Sequence, residues 1–282
     1  MSMVKPNQDD SDNTLLGHAE ARGETGVSFS GDEESLSQRR WLEFSAHSAT
    51  ILFGIGWVAC AQFLPAPSPL LSPDEITRRY VDNVTGIRVG ITLMLLSFAF
   101  WAIWGGIIAA WTRSVEPRRS MWAYVQLVSL TVSEMIGVLC AFFWGMAAFR
   151  PGEISPEITQ AFNDMGWLMF LLPWPPFSMW CVAVGFAVLR DRSPQPMFPR
   201  WVAGLSFLTA FLFIPAFAPI FFKSSGFAYN GLLGMYLPLV IFFVWIEGVT
   251  YAMRRSLKRE TQLHAARLCA SDRASGLEVG HG

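Results

Sequence analysis

Long uncharged apolar runs, broken by short charged ones, constrain this chain more than any other feature. Six such runs lie at roughly 44–65, 87–112, 121–149, 161–189, 201–222 and 231–253. Each is near or above the ~20 residues that a helix needs to cross about 30 Å of hydrocarbon. The expected fold is therefore all-α: a polytopic membrane protein, a bundle of six transmembrane helices with an interrupted fourth helix. Composition agrees, since 52% of the 282 residues are hydrophobic and only 15% are charged. The net charge of −1 and the lack of a basic patch interleaved with aromatics argue against a nucleic-acid partner. The partner such a surface implies is the lipid bilayer.

Lys and Arg sort by connection. One set contains Arg39, Arg40, Arg113, Arg118, Arg119, Arg190, Arg192, Arg200, Arg254, Arg255, Lys258 and Arg259. The alternate connections carry only Arg78, Arg79, Arg88, Arg150 and Lys223. With six crossings, this bias puts both termini in the cytoplasm. Residues 1–40 are expected to be a disordered cytoplasmic tail, 41–256 the transmembrane domain, and 257–282 a cytoplasmic C-terminal tail. No apolar h-region follows Met1, so no cleaved signal peptide is expected. Cys60, Cys140 and Cys181 fall in apolar runs and no CxxC pair occurs, which reads as small buried hydrophobes.

The sparsely charged connections share a pattern. LSPDEITRRYVDN (71–83) and EISPEITQAFND (153–164) each hold a helix start of Ser, Pro and Glu: Ser72, Pro73 and Glu75, then Ser155, Pro156 and Glu157. In FAYNG (227–231) Tyr229, Asn230 and Gly231 form a fainter third copy. Two readings are open: hairpins of like orientation descended from one unit, or ordinary caps that recur because helices need them.

Several strings, SPEITQAFNDMGW (155–167), FPRW (198–201) and FAYNGLLG (227–234), resemble a family of uncharacterised six-span bacterial inner-membrane proteins with no assigned activity. The resemblance covers about residues 45–255 and implies a bacterial inner (plasma) membrane. It carries over no catalytic residue and no cofactor.

Candidate functional residues come from two violations of membrane chemistry. The first is Pro173, Pro175 and Pro176 in the fourth run. Each proline lacks an N–H and displaces the carbonyl four residues back, so Met169, Leu171 and Leu172 are expected to lose their carbonyl partners. Broken backbone at this depth must face protein or a wet cavity. The second is Glu134, near the centre of the third run with no Lys or Arg at its depth. It is either a protonated hydrogen-bond donor or a carboxylate in a hydrated cavity, and an intramembrane acid is by default a functional candidate. An interhelical hydrogen bond is its bland alternative. The ligand-binding set is thus Glu134, Met169, Leu171, Leu172, Trp174 and Ser178, with Arg88, Asn163, Asp164 and Asn230 at an outer entrance. Glu247 is expected to be structural, eased by Arg254 or Arg255.

No GxSxG, HExxH or phosphate-cradling Gly loop occurs, and histidines are too few for a membrane metal site. The sequence thus points away from an enzyme and implies no metal and no cofactor. Two functions remain: binding or transport of a small molecule or lipid at a polar site near the bilayer midplane, or a non-catalytic membrane component that holds a protein partner.

Overall fold

A computed structural model describes residues 27–116, 121–194 and 196–279. Residues 1–26, with most of the tail expected to be disordered, lie outside the described residues, as do Arg118, Arg119 and the extreme C-terminus. Residues Trp41–Ser256 make one compact unit, which contains every site discussed below. The helices in chain order are α1 (Val27–Gly54), α2 (Pro73–Asp82), α3 (Val84–Val115), α4 (Trp122–Phe149), α5 (Pro156–Leu171), α6 (Trp174–Arg190), α7 (Trp201–Leu212) and α8 (Leu237–Val279). Short π-helical pieces, Ile55–Cys60 and Leu232–Tyr236, follow α1 and precede α8, and a 3₁₀ turn, Ile214–Ile220, follows α7.

Among the described residues five helical stretches, not six, are long and apolar enough to cross a membrane: Val84–Val115, Trp122–Phe149, Pro156–Arg190, Trp201–Ile220 and Leu232–Arg259. Their outward surfaces carry large apolar side chains such as Val128, Phe142, Phe211 and Val240, each more than half exposed. Such a surface needs lipid, and the chain is a multi-pass membrane protein. The six-span bundle is corrected here. The run at 44–65 is not one apolar helix: within it α1 dilutes the apolar residues with Ser45, His47, Ser48 and Thr50. The helix then slackens into the π-helical Ile55–Cys60, and the chain leaves it at Gln62, whose φ is 54°. Counting apolar letters alone misses this change of backbone. The interrupted span is accordingly the third of five.

Local chemistry explains several boundaries. Ser72 caps α2 in extended geometry. Its Oγ accepts the Glu75 N–H at 3.3 Å, while the Glu75 carboxylate accepts the Ser72 N–H at 2.8 Å. These bonds from Ser72, backbone first, hold the Glu75 carboxyl below its ordinary range. The parallel start at Ser155 makes no side-chain cap, and with Glu157 two residues on rather than three the reciprocal half of the box is missing as well. The carboxylate of Glu116 receives the N–H groups of Trp122 and Ala123, at 3.3 and 3.2 Å, and so caps α4 from the preceding loop.

The spans are held by close backbone approach and by hydrogen bonds between helices, the means available where lipid removes the hydrophobic drive. A Cβ on Gly90 of α3 would collide with the Gly56 carbonyl and lie 2.9 Å from Ala61. The two backbones meet because neither glycine carries a side chain. Gln126 donates to Thr112 at 2.8 Å, joining α4 to α3. Trp104 donates to Thr250 at 2.8 Å and Trp245 to Ser206 at 2.9 Å, which joins α3 to α8 and α8 to α7. The rings of Trp104, Trp180 and Trp245 meet edge to face, with centroids 5.2 to 5.7 Å apart. Gly54 and Gly106, by contrast, face open space. Replacement Gly90→Ala is therefore expected to lower stability by about 1–3 kcal/mol, whereas Gly106→Ala leaves it unchanged or slightly raised. Thermal unfolding of the detergent-solubilised protein compares the two directly.

Candidate functional site

Each half of the interrupted span contributes to a cavity inside the bundle. α5 ends at Leu171, Leu172 still donates to Leu168 at 2.8 Å, and α6 resumes at Trp174. Pro173 stands at the cap of α6, and Pro175 and Pro176 lie in its first turn. N–H groups of a first helical turn have no intrahelical acceptor, so prolines there cost no hydrogen bond. The three prolines thus begin a helix rather than break one.

Beside this junction lies a cavity of about 120 Å³, bordered by α1, α3, α4, α5, α6 and α8, the turn after α7 and the π-helical piece before α8. Glu134, Leu171 and Trp174 line it, together with Pro173. Glu134 is the thirteenth residue of α4 by count from Trp122, close to its middle. Its Oε2 is buried with no hydrogen-bond partner. Much of the remaining wall is aromatic, with Phe98 and Trp101 from α3, Trp144 from α4, Phe170 from α5, and Phe177 and Trp180 from α6, and aliphatic side chains such as Met94, Ile136 and Leu239 fill the rest. The indole N–H groups of Trp101, Trp144 and Trp180 also lack partners, and the Nε1 of Trp144 rests against Gly166.

Other candidate residues lie elsewhere. Met169 and Leu172 are half-buried and do not line the cavity. Ser178 is buried and donates to the Ala210 carbonyl at 3.0 Å. That carbonyl belongs to the last turn of α7, where it has no acceptor duty inside the helix; Ser178 therefore ties α6 to α7. Arg88 extends across the hairpin and donates to the carbonyls of Ala148 and Phe149, at 3.0 and 2.8 Å, closing the end of α4. Glu247 is exposed, and Arg254 pairs with Glu43 at 3.2 Å.

Asn163 and Asp164 meet in a polar cluster that sequence reasoning did not assemble. Asn163 Oδ1 accepts from Tyr80 and from Trp167, each at 3.2 Å, and its Nδ2 donates to Asp164 at 3.0 Å. Tyr229 donates to the same Asp164 oxygen at 3.4 Å and stacks on Trp167 at 5.7 Å. Asn230 is half-buried beside it in the turn. Burial pushes the phenols of Tyr80 and Tyr229 well above their ordinary value, with the Asp164 charge adding to the effect on Tyr229. The three echoing stretches of the sequence therefore converge here, through Tyr80, Asn163-Asp164 and Tyr229. A polar cavity of about 300 Å³, lined by Gln62, Arg79, Asp82, Asn83 and Asn163 among others, lies on the α2 side of this cluster.

Apart from Trp174, the aromatic wall was also missed, although a signal was present. Phe170, Trp174, Phe177 and Trp180 recur every three or four residues across the break, which is the spacing of one helical face. Among the described residues, no group of three His, Cys, Asp or Glu is placed to hold a metal ion.

The fold and cavity define a multi-pass α-helical membrane protein with a buried acid in an aromatic pocket. In comparisons with protein families, curated proteins and solved structures, nothing matches the chain. The resemblance of its short strings to a six-span inner-membrane family is corrected on that finding and on the count of five spans. Strings such as a capped helix start or FPRW recur wherever the same local geometry is needed, so they do not carry kinship by themselves.

The cluster at Asn163 supplies its own test. Tyr80→Phe removes one hydrogen bond and is expected to cost about 0.5–1.5 kcal/mol. Asn163→Leu strands both the Tyr80 hydroxyl and the Trp167 N–H and is expected to cost more, about 1–3 kcal/mol for each group. Unfolding in detergent measures both, and an Asn163→Leu variant as stable as Tyr80→Phe would dissolve the hub.

Proposed function

We propose that this protein binds a small lipid-soluble molecule in the cavity beside Glu134, as a carrier or receptor within the membrane. The observation that carries the reading is the Glu134 carboxyl, set near the middle of a span with an unpartnered Oε2 beside a cavity. An unsatisfied buried polar group costs about 1–3 kcal/mol, and a ligand that pairs with it offsets that cost. The discontinuous α5–α6 span adds support, since broken helices beside a central site are a recurring device of transporters.

The protein is purified gently from its own membrane and weighed intact by native mass spectrometry. Wild type is expected to carry a small molecule or lipid that is lost from Ser133→Phe, which fills the cavity, and reduced in Glu134→Gln. A protein partner retained by all three forms, with no small molecule, would overturn the proposal in favour of a non-catalytic membrane component.

For orientation we propose a bacterial inner membrane, with Arg113, Arg190, Arg192, Arg200 and the basic run from Arg254 to Arg259 on the cytoplasmic side. The C-terminus follows them. Five crossings between Val84 and Arg259 then put the connection before α3, with Arg78 and Arg79, on the outer face, opposite the C-terminus. In intact cells expressing a cysteine-free background, a membrane-impermeant maleimide is expected to label Ser224→Cys and to spare Arg192→Cys. The reverse pattern refutes the assignment.

A further inference from the structure

We propose that the cavity takes a lipophilic organic cation, an amine or quaternary ammonium with an apolar body, its charge against Glu134 and its body against the aromatic faces. This rests on the reading above that the cavity holds a small molecule.

Charge decides the class. Glu134 is the one carboxyl in the lining, which contains no Lys, Arg, His or Asp. An ionised acid there needs a counter-charge that the protein does not provide, and a buried ion without one is costly. A cationic ligand completes the pair. Phe98, Trp101, Trp144, Trp174, Phe177 and Trp180 surround the same space. Their faces carry negative potential and attract a desolvated cation, most of all a quaternary ammonium that forms no hydrogen bonds.

The cavity is correspondingly poor for anions. A helix that starts beside a site normally offers N–H groups and a positive dipole end to negative charge. α6 starts here with Pro173, Pro175 and Pro176, which have no N–H to give. A neutral apolar occupant fits the walls but leaves Oε2 of Glu134 as unpartnered as before.

The test uses an isosteric pair on the full chain in phosphatidylcholine nanodiscs. Benzyltrimethylammonium and neopentylbenzene differ in one atom, nitrogen for carbon, and hence in charge alone. Saturable change in Trp fluorescence, corrected against empty nanodiscs, reads binding of each. The cation is expected to bind wild type at least about tenfold more tightly than the isostere. Glu134→Gln is expected to remove that advantage while isostere binding stays, which also shows that the variant is folded. Trp174→Leu, at a half-buried position, is expected to weaken the cation more than the isostere.

An isostere that binds as tightly as the cation, or a cation indifferent to Glu134→Gln, overturns the cation proposal and leaves the cavity a site for neutral molecules. Equal weakening of both probes by Trp174→Leu overturns it as well. Binding of neither probe to wild type also overturns it. The wider reading is tested separately by the native mass spectra: it falls if Ser133→Phe leaves a bound small molecule in place, or if wild type carries none.

Discussion

Three tryptophans packed edge to face hold the helices in register. Trp104, Trp180 and Trp245 come from α3, α6 and α8, and every pair among them is T-shaped, the arrangement in which an electropositive ring edge meets a negative face. In water such rings would be driven together by burial. In lipid that drive is weak, and geometry must supply the attraction. Two of the three indoles also donate across to a hydroxyl, Trp104 to Thr250 and Trp245 to Ser206, so α7 is bound into the same knot. Trp180 keeps its N–H unpartnered and forms part of the cavity wall instead. The cavity thus adjoins this knot through Trp180, whose ring is held by contacts made outside the cavity.

A second aromatic group, Trp57, Phe63, Trp144, Trp167 and Phe170, reaches the cavity through Trp144 and Phe170. Trp167 passes from it to the polar cluster, with its ring against Trp144 and its N–H on Asn163. The apolar cavity and the polar cavity near Arg79 are therefore divided by a layer of interlocked rings. The division matters chemically. An acid in the inner space is kept among rings, while the hydroxyl, amide and carboxylate groups of Tyr80, Asn163 and Asp164 satisfy one another outside it.

Hydropathy made the membrane class legible, because a lipid-facing helix must be apolar over its whole length. It failed at residues 44–65. There the letters are apolar, but Ser45 to Thr50 dilute the start and the backbone loosens after Gly54, which no sum of residue scales records. The junction at Pro173 was visible as a violation of helix rules, yet its meaning was not. Whether prolines break a helix or begin one depends on where the previous helix ends, and that is set by packing. Glu134 was found from its charge alone. Its aromatic surroundings were written in the spacing of Phe170, Trp174, Phe177 and Trp180, but the same spacing describes any core face. Tyr80, Asn163 and Tyr229 lie far apart in the chain, and only the fold shows that they meet.

Arg88 gives the molecule a mechanical asymmetry. The α3–α4 hairpin is joined covalently at one end by its loop and clamped at the other, where the guanidinium grips the final carbonyls of α4. Two rods fastened at both ends cannot scissor. The neighbouring span is the opposite case, two rods that abut at Leu172 and Pro173 without a continuous hydrogen-bond ladder between them. One wall of the cavity is then a frame and the facing wall a joint. Glu134 is mounted on the frame, whereas Pro173 and Trp174 belong to the joint.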